Sequence, residues 1–178
     1  MKKILAAVLA LVMMMGCVSV FAEGDIVVLY QSDINASKRD GWMGNNCDVT
    51  AADDGTLTVT GRTQGWQAPQ HVFKLQPGIE YTISVEVLQE ELDEAVISIT
   101  ANCKIDGNQE YIHLLGSDEE EAVKGLVKKG EWTTVEAVYT FEKEPVDCFL
   151  YVETIGDATA TMNYKIRNFV IKGPEGAL

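Results

Sequence analysis

The sequence predicts an all-β fold, a β-sandwich of two antiparallel sheets in a jelly-roll arrangement. Apolar and polar residues alternate with a period of two in most segments, which is typical of strands that bury only one face. About nine or ten short strands in one chain of 178 residues indicate a single sandwich domain. The prolines fall between the alternating segments, where they do not interrupt a ladder of hydrogen bonds: Pro69, Pro77, Pro145 and Pro174.

The first strands are predicted in the N-terminal half of the chain. Residues 26–31 form a β-branched apolar run, and in residues 55–61 Leu57 and Val59 alternate with threonines. In residues 80–88 the odd positions are apolar and the even positions are mostly polar, which predicts a strand with one buried face. The sequence Gln-Pro-Gly precedes this strand and is typical of a turn.

The C-terminal half continues the same pattern on both sides of the turn signal Asp106-Gly107. Its strands are predicted at residues 95–103, 109–115, 132–141, 148–154 and 163–172. Residues 117–124 are the exception, because Ser117 can cap a helix and Glu120 follows three residues later. This segment is short, so we expect a loop with at most one helical turn.

The first 22 residues have the features of a secretory signal peptide. The basic pair Lys2-Lys3 precedes an apolar run over residues 4–15, which is too short to span a membrane. Residues 20–22 fit a signal-peptidase site, so we predict a leader at residues 1–22 that is cleaved after Ala22. The protein is then secreted.

The leader sets the predicted domain boundaries. We expect a β-sandwich at residues 23–172 and a C-terminal tail or the start of a linker at residues 173–178. One alternative stays open at the N-terminus: Cys17 follows Gly16 and is a candidate for lipidation, which would anchor the protein instead of releasing it.

The charge balance excludes two classes of partner. The chain has 14 basic and 27 acidic residues and a net charge of −13, which becomes −15 when Lys2 and Lys3 leave with the leader. Phosphate backbones and anionic membranes attract concentrated Lys and Arg, so we predict neither a nucleic-acid partner nor a membrane-surface target. Neutral or cationic ligands remain.

Three cysteines stay in the secreted part: Cys47, Cys103 and Cys148. They form no C-x-x-C motif and no cluster with histidine, so a zinc site is not expected. Cys103 and Cys148 fall on the apolar positions of their strands, which indicates buried thiols. A single disulfide with one free thiol is the alternative, because a secreted protein meets an oxidising compartment.

Several segments together resemble a family 22 carbohydrate-binding module, part of a broader group with families 4 and 9 that is attached to xylanases. The resemblance covers nearly the whole secreted part. The segments are Asp-Gly-Trp at 40–42, Gly-Arg-Thr-Gln-Gly-Trp at 61–66, Leu-Gln-Pro-Gly at 75–78, Tyr-Thr-Ile-Ser at 81–84, Gly-Glu-Trp-Thr at 130–133 and Leu-Tyr-Val-Glu at 150–153.

The resemblance implies a concave sheet face that binds a β-linked polysaccharide, usually xylan and also mixed-linkage β-glucan. A pyranose ring has apolar C–H faces that stack on an aromatic ring, and a rim of hydroxyls that polar side chains can bond. The family's stacking tryptophan matches Trp66, which lies in a loop-like context. Its sugar-contacting tyrosine and glutamate match Tyr151 and Glu153, which share the outward face of one strand.

Further residues are candidates for the same site. Tyr111 is a candidate second stacking ring, and His113 lies on the same side of its strand. Arg62 belongs to the matching motif but is also suited to a structural ion pair. Gln67 is a candidate hydrogen-bonding group beside the stacking tryptophan, and Asn45 stands near the place where the family often carries an arginine.

Three further aromatic residues are assigned to the core: Trp42, Tyr81 and Trp132. The family resemblance also implies a structural Ca²⁺ near the chain ends, for which Asn35 and Asn168 are weak candidates. Carboxylates are missing at both positions and Arg167 is adjacent, which disfavours a hard cation. No cofactor is required by the predicted function.

Catalysis is not expected. A glycosidase needs two carboxylates placed across a cleft, and only Glu153 stands in the candidate groove. We therefore predict a monomeric, non-catalytic glycan-binding module, either free or joined to a xylanase catalytic domain. The alternatives are a structural or adhesion sandwich that binds no sugar, and a small glycoside hydrolase.

Overall fold

The computed structural model of the chain describes residues 25–115, 123–155 and 161–178. These residues form twelve strands: β1 (Ile26–Gln31), β2 (Met43–Asn45), β3 (Asp48–Ala51), β4 (Leu57–Thr60), β5 (Ala68–Phe73), β6 (Glu80–Gln89), β7 (Glu94–Ile105), β8 (Asn108–His113), β9 (Leu126–Lys128), β10 (Thr133–Thr140), β11 (Val146–Ile155) and β12 (Tyr164–Pro174). The leader at 1–22 and most of the helix-like segment at 117–124 lie outside the described residues. In the part that is described, no helix has the length and apolar character needed to cross a bilayer.

The strands form two six-stranded sheets that pack face to face. One sheet has the order β10-β6-β12-β4-β3, with β1 beside β12, and the other has the order β2-β5-β11-β7-β8, with β9 beside β7. In the described residues, the pairings between these twelve strands are antiparallel. Since the chain crosses between the sheets repeatedly, the predicted two-sheet antiparallel sandwich is confirmed.

The alternating sequence pattern explains the core. In β6 the side chains of Tyr81, Ile83 and Val85 are fully buried, while the residues between them are only partly covered. The apolar positions of β7, β10 and β11 face the same interior, so the two inner faces form one continuous cluster. Burial of apolar surface at about 25 cal/mol per Å² is the main force that holds the sheets together.

Four strands were not predicted, and each has a physical reason. The strands β2, β3 and β9 have only three or four residues, too few to show alternation. The strand β5 contains Pro69, which was placed between strands. Its pairing with β11 starts at Gln70, so Pro69 lies alongside only Gly44 of the short edge strand β2, where its missing N–H costs little.

The last strand also departs from the simple pattern. A bulge between Arg167 and Val170 changes which positions face the core, and Asn168 takes a positive φ of 49° there, a conformation that asparagine tolerates better than most residues. The predicted boundary at 172 falls inside the strand, because β12 continues to Pro174. Ala177 is also buried, and its carbonyl accepts a 2.7 Å hydrogen bond from the Tyr81 hydroxyl.

Two of the three predicted core aromatics are confirmed, because Trp42 and Tyr81 are buried. The assignment of Trp132 to the core is wrong. This side chain is only half-buried just before β10, and the guanidinium of Arg167 lies 4.0 Å from its ring centroid. A stacked cation of this kind covers an aromatic face without burying it in the core.

Candidate functional site

The site is built on the outward faces of β11 and β7, two long strands in the middle of their sheet. In this antiparallel pair Tyr151 lies opposite Thr100 and Phe149 lies opposite Asn102. Their sequence neighbours Leu150 and Ala101 point into the core, because successive residues of a strand face opposite sides. The same two strands therefore supply core on one side and a polar floor on the other.

A groove with a volume of about 540 Å³ lies over this floor. It combines aromatic rings, amides, hydroxyls, an imidazole and a carboxylate. The lining residues are Asn45, Asn46, Trp66, Thr100, Asn102, Tyr111, His113, Tyr151 and Glu153.

Two of the lining rings are held out in solvent. Trp66 is 51% exposed and Tyr111 is 69% exposed, although large aromatic side chains usually bury much of their surface. Trp66 comes from the loop that leads into β5, and Tyr111 comes from β8. Because β5 and β8 flank the central β11 and β7, the two rings reach the groove from different sides of its floor.

A second, shallower depression of about 510 Å³ continues from the groove. It shares Asn45, Asn102 and Tyr151 with the first, and it adds the partly exposed side chains of Val72 and Phe149. The polar floor and its apolar patches therefore extend along the sheet further than the first depression alone.

Glu153 is the carboxylate of the groove, and it is only 9% exposed. The Thr100 hydroxyl donates a hydrogen bond to its Oε1 atom, and the Nδ1 atom of His113 lies 3.1 Å from that hydroxyl and 3.8 Å from the carboxylate. The Ser98 hydroxyl lies 3.2 Å from the Thr100 hydroxyl. This network fixes the orientation of the carboxyl group.

Burial raises the pKa of the Glu153 carboxyl above its ordinary value of 4.5. The hydrogen bond from Thr100 and the nearby charges of His113 and Arg62 act in the opposite direction and offset part of this effect. Burial also raises the pKa of the Tyr151 phenol, so this side chain is neutral and can both donate and accept a hydrogen bond.

Amide side chains complete the floor beside Tyr151. Asn102 donates a hydrogen bond of 3.3 Å to the Tyr151 hydroxyl, and the Gln109 amide donates to the side-chain oxygen of Asn102. Each side chain in this series of hydrogen bonds is positioned by its neighbour. The floor is thus ordered before any ligand arrives, which lowers the entropy that binding must overcome.

Arg62 holds the loop that carries Trp66. Its guanidinium is 6% exposed and donates to the carbonyl oxygens of Gly65 at 2.7 Å, Gln67 at 2.5 Å and Met162 at 2.8 Å. It also donates to the Thr154 hydroxyl at 2.6 Å. These bonds tie the loop to the strand that bears Glu153.

Gln67 has a similar place in the loop. Its side-chain oxygen accepts hydrogen bonds from the backbone N–H groups of Thr63 at 2.5 Å and Gln64 at 3.0 Å. Neither Arg62 nor Gln67 is among the residues that line the groove. Both act on the site by shaping the loop, and the hydrogen-bond acceptors of Arg62 are carbonyl and hydroxyl oxygens instead of the carboxylate that a structural ion pair would need.

The structure brings most of the predicted site residues into one groove. Trp66, Tyr111, Tyr151, Glu153 and Asn45 all line it, together with His113. Their contact with a ligand stays a prediction.

Three lining residues were missed by the sequence analysis: Thr100, Asn102 and Asn46. A signal for two of them was present, because Ser98, Thr100 and Asn102 occupy the polar positions that alternate with the apolar positions of β7. Asn46 takes a positive φ of 54° in the turn between β2 and β3, and no alternation marks such a turn residue.

The residues named for a calcium site do not fit a hard cation. The side-chain oxygen of Asn35 accepts hydrogen bonds from the N–H and hydroxyl groups of Ser37. The Asn168 amide donates to Glu86, whose carboxylate also pairs with Arg167 at 2.5 Å. Among residues 25–115, 123–155 and 161–178 there is no group of three or more His, Cys, Asp or Glu side chains placed to hold a metal.

The groove has the chemistry of a site for a neutral, hydroxyl-rich ligand. Exposed rings can stack on apolar sugar faces, and the fixed amide, phenol and carboxylate groups can bond hydroxyls. A groove along a sheet, unlike a closed pocket, also accommodates an internal part of a long chain. Fold and site together define a carbohydrate-binding β-sandwich.

Comparison with known proteins gives the family. Residues 28–160 match the family described as "Carbohydrate binding domain", and the chain belongs to this family. The family is one of binding domains, in agreement with the prediction that the chain is not a hydrolase.

A curated relative is the endo-1,4-beta-xylanase A of Thermoanaerobacterium saccharolyticum, which is 25% identical over 189 aligned residues. The alignment covers 95% of this chain and 16% of the xylanase, so the chain spans a small part of that relative. The similarity therefore concerns one segment of a much longer enzyme.

Solved structures share the fold. A CBM22-1 xylan-binding domain from Paenibacillus barcinonensis has a TM-score of 0.66 at 23% identity, covering 86% of this chain and 97% of that domain. The CBM22-1 and GH10 modules of a Clostridium thermocellum endo-1,4-beta-D-xylanase, complexed with xylohexaose, have a TM-score of 0.68 at 18% identity. That match covers 82% of this chain and 28% of the other.

Replacement of Arg62 tests its role in holding the loop. Arg62→Gln removes most of the donors to the carbonyl oxygens of Gly65, Gln67 and Met162, so we expect the free energy of unfolding to fall by about 2–4 kcal/mol. Urea denaturation followed by fluorescence measures this change. The matched control is Arg39→Gln at an exposed position, where we expect a change within about 0.5 kcal/mol. Equal effects of the two substitutions would contradict the structural role.

The buried carboxyl predicts a pH dependence of stability. Since the folded state raises the pKa of Glu153, its neutral form favours folding below pH 4.5, and this contribution is lost as the pH rises through the raised pKa. The free energy of unfolding of the wild type, minus that of Glu153→Gln, should therefore fall as the pH increases from below 4.5 towards neutral. Denaturation midpoints across this pH range measure it.

Glu86 supplies a control of opposite sign for the same experiment. The hydrogen bond from Asn168 and the ion pair with Arg167 hold the pKa of the Glu86 carboxyl below its ordinary value. Its contribution to stability is present above that ordinary value and is lost as the pH falls through the lowered pKa. The difference between the wild type and Glu86→Gln should thus rise with pH. A common trend for both variants would count against the assignment for Glu153.

Proposed function

We propose that this domain binds xylan, or a related β-linked glucan, along the groove and does not cleave it. The observation that carries the proposal is the pair of exposed rings, Trp66 and Tyr111, which approach a polar floor from two sides. Each ring offers a stacking surface for a sugar, and such a contact contributes about 0.5–1.5 kcal/mol beyond the burial of area. Its relatives include a xylanase and a xylan-binding domain, which supports the choice of xylan.

The floor supplies the polar part of the proposed recognition. Tyr151 and Asn102 lie on adjacent strands where the hydroxyls of a bound sugar would face them, and Glu153 is held by Thr100 as an oriented acceptor. The continuation of the groove past Tyr151 towards Phe149 would hold further sugar units of the same chain. A neutral polysaccharide is also compatible with the strongly acidic chain.

The geometry does not favour hydrolysis. Inverting and retaining glycosidases use two carboxylates about 5–9 Å apart across the scissile bond. Among the residues that line the groove, Glu153 is the carboxylate. The acid of the adjoining depression, Asp147, pairs with Lys104 at 2.9 Å. We infer that the domain holds the polysaccharide and leaves cleavage to another protein or module.

The setting of this binding activity is part of the proposal. A leader at residues 1–22 would deliver the protein out of the cell, where polysaccharides are found. A xylanase catalytic domain is the proposed partner, either in the same polypeptide or acting on the same substrate. A module of modest affinity is useful in that role, because tethering raises the effective concentration of substrate.

Substitution of the stacking rings tests the proposed function. Trp66→Ala should weaken binding to soluble xylan by about 10- to 100-fold, because it removes an entire stacking surface. Tyr111→Ala should weaken it in the same direction. Isothermal titration calorimetry with xylan, mixed-linkage β-glucan, mannan and cellulose as ligands measures affinity and preference together.

The control for these variants is Val138→Ala, an exposed apolar side chain on the other sheet, which should leave the affinity unchanged. Circular dichroism establishes that each variant is folded. Binding of the wild type to none of the four polysaccharides would contradict the proposal and favour a structural or adhesion role. Release of reducing sugar from xylan by the purified protein would contradict the non-catalytic part.

We also propose that the fold needs no bound calcium. The side-chain oxygen of Asn35 accepts hydrogen bonds from Ser37, and Glu86, beside Asn168, is paired with the cation of Arg167. Treatment with EDTA should therefore leave the melting temperature unchanged in differential scanning calorimetry. A decrease that is restored by added Ca²⁺ would contradict this proposal and indicate a cation site elsewhere in the chain.

A further inference from the structure

Two buried cysteines lie on the adjacent strands β7 and β11, under the floor of the groove. In the antiparallel pair of β11 and β7, Leu150 lies opposite Ala101 and Phe149 lies opposite Asn102. Cys148 precedes Phe149 on β11, and Cys103 follows Asn102 on β7. The register of the pair shifts at this point, because Cys148 lies within a bulge between Val146 and Phe149.

The two thiols are in direct contact and closed off from solvent. Both are free cysteines with fully buried side chains, and the two thiols are close enough to shift each other's pKa. Neighbouring strands of a sheet lie about 4.7–4.9 Å apart, which is within the range of about 4.4–6.8 Å found for the Cα atoms of disulfides. A bond between Cys103 and Cys148 therefore requires only a small adjustment of the side chains.

The remaining cysteine has a different environment. Cys47 lies in the turn between β2 and β3 and is partly exposed. It interacts electrostatically with Arg62, near the loop that carries Trp66. The two cysteines on β7 and β11 are thus neighbours, while Cys47 lies in another part of the molecule. This separates the three thiols into one pair and one single group.

We propose that Cys103 and Cys148 form a disulfide when the chain folds in an oxidising environment, and that Cys47 stays a free thiol. The oxidant is a small-molecule disulfide. Its S–S bond is broken as one cysteine thiolate attacks it, and the second cysteine then displaces the small thiol from the mixed disulfide. In sum, two protein thiols become one protein disulfide, and one small disulfide becomes two small thiols.

Burial determines when this reaction can occur. It raises the pKa of both the Cys103 and the Cys148 thiols, so the reactive thiolate is scarce in the folded chain. The bond therefore forms while the sheet assembles, and afterwards the core protects it from reduction. A chain that folds in the reduced state keeps its thiols unreacted for the same reason.

The bond would lie directly beneath the groove. The strands that it joins carry Thr100 and Asn102 on one side and Tyr151 and Glu153 on the other, all within five residues of a proposed sulfur atom. A cross-link between β7 and β11 would limit separation of the two strands near Val146 to Phe149, where their register shifts. Formation of the disulfide does not depend on which ligand the groove binds.

Oxidative refolding tests the proposal on the wild-type protein. The chain is unfolded in denaturant with a reductant, refolded with oxidised and reduced glutathione, alkylated with iodoacetamide and mapped by peptide mass spectrometry without reduction. We expect one linkage, between the peptides that contain Cys103 and Cys148, with the loss of two hydrogens and with alkylated Cys47. Alkylation of all three cysteines, or a linkage through Cys47, would overturn the proposal.

Variants and heating provide a second, independent readout. Cys47→Ser should keep the linkage, and its melting temperature should be about 5–15 °C higher in the oxidised than in the reduced form. In Cys103→Ser and Cys148→Ser the linkage is absent, and the two redox conditions should give the same melting temperature. If the oxidised and reduced forms of the wild type have the same melting temperature, no stabilising bond joins β7 to β11 and the proposal is wrong.

Discussion

The pairing of β11 with β7 is the interaction on which the rest of the structure depends. Its backbone hydrogen bonds fix a register in which Leu150 and Ala101 face the interior while Tyr151 and Thr100 face outward. The hydrophobic core and the polar floor are therefore two sides of one ladder. The burial that stabilises the sandwich also holds the groove side chains in place, so the site needs little further ordering when it binds.

The loop that bears Trp66 depends on a different kind of interaction. Exposing a large apolar ring is unfavourable, and a loose loop would let the ring fold back onto the protein surface. Arg62 prevents this by satisfying several buried oxygen atoms with one guanidinium, whose planar array of donors suits such a cluster. Its cation also lies 4.9 Å from the ring of Tyr164, which connects the loop to the core.

The sequence was sufficient for the sandwich and for most of the groove, because both follow from alternation. In β11 the apolar residues Leu150 and Val152 imply that Tyr151 and Glu153 point outward, and they do. The place of Arg62 was harder to predict, since a motif shows which residues recur and not what they contact. The missed strand β5 and the bulge at Asn168 also have local causes. The first is a proline that pairs only with the edge strand β2, and the second is a residue in the left-handed conformation. The alternation of apolar and polar residues reveals neither of them.

The bulges in β11 and β12 have a consequence for how this fold can change over time. Deleting one residue in the middle of β11 would turn every following side chain to the opposite face, exchanging core and groove at once. Single substitutions leave this division of faces intact. The bulges lie elsewhere, between Val146 and Phe149 and between Arg167 and Val170, where a change in length is absorbed before it reaches the floor. Insertions and deletions are thus tolerated at these positions and in the loops, and ligand preference can evolve by substitution on a register that stays fixed.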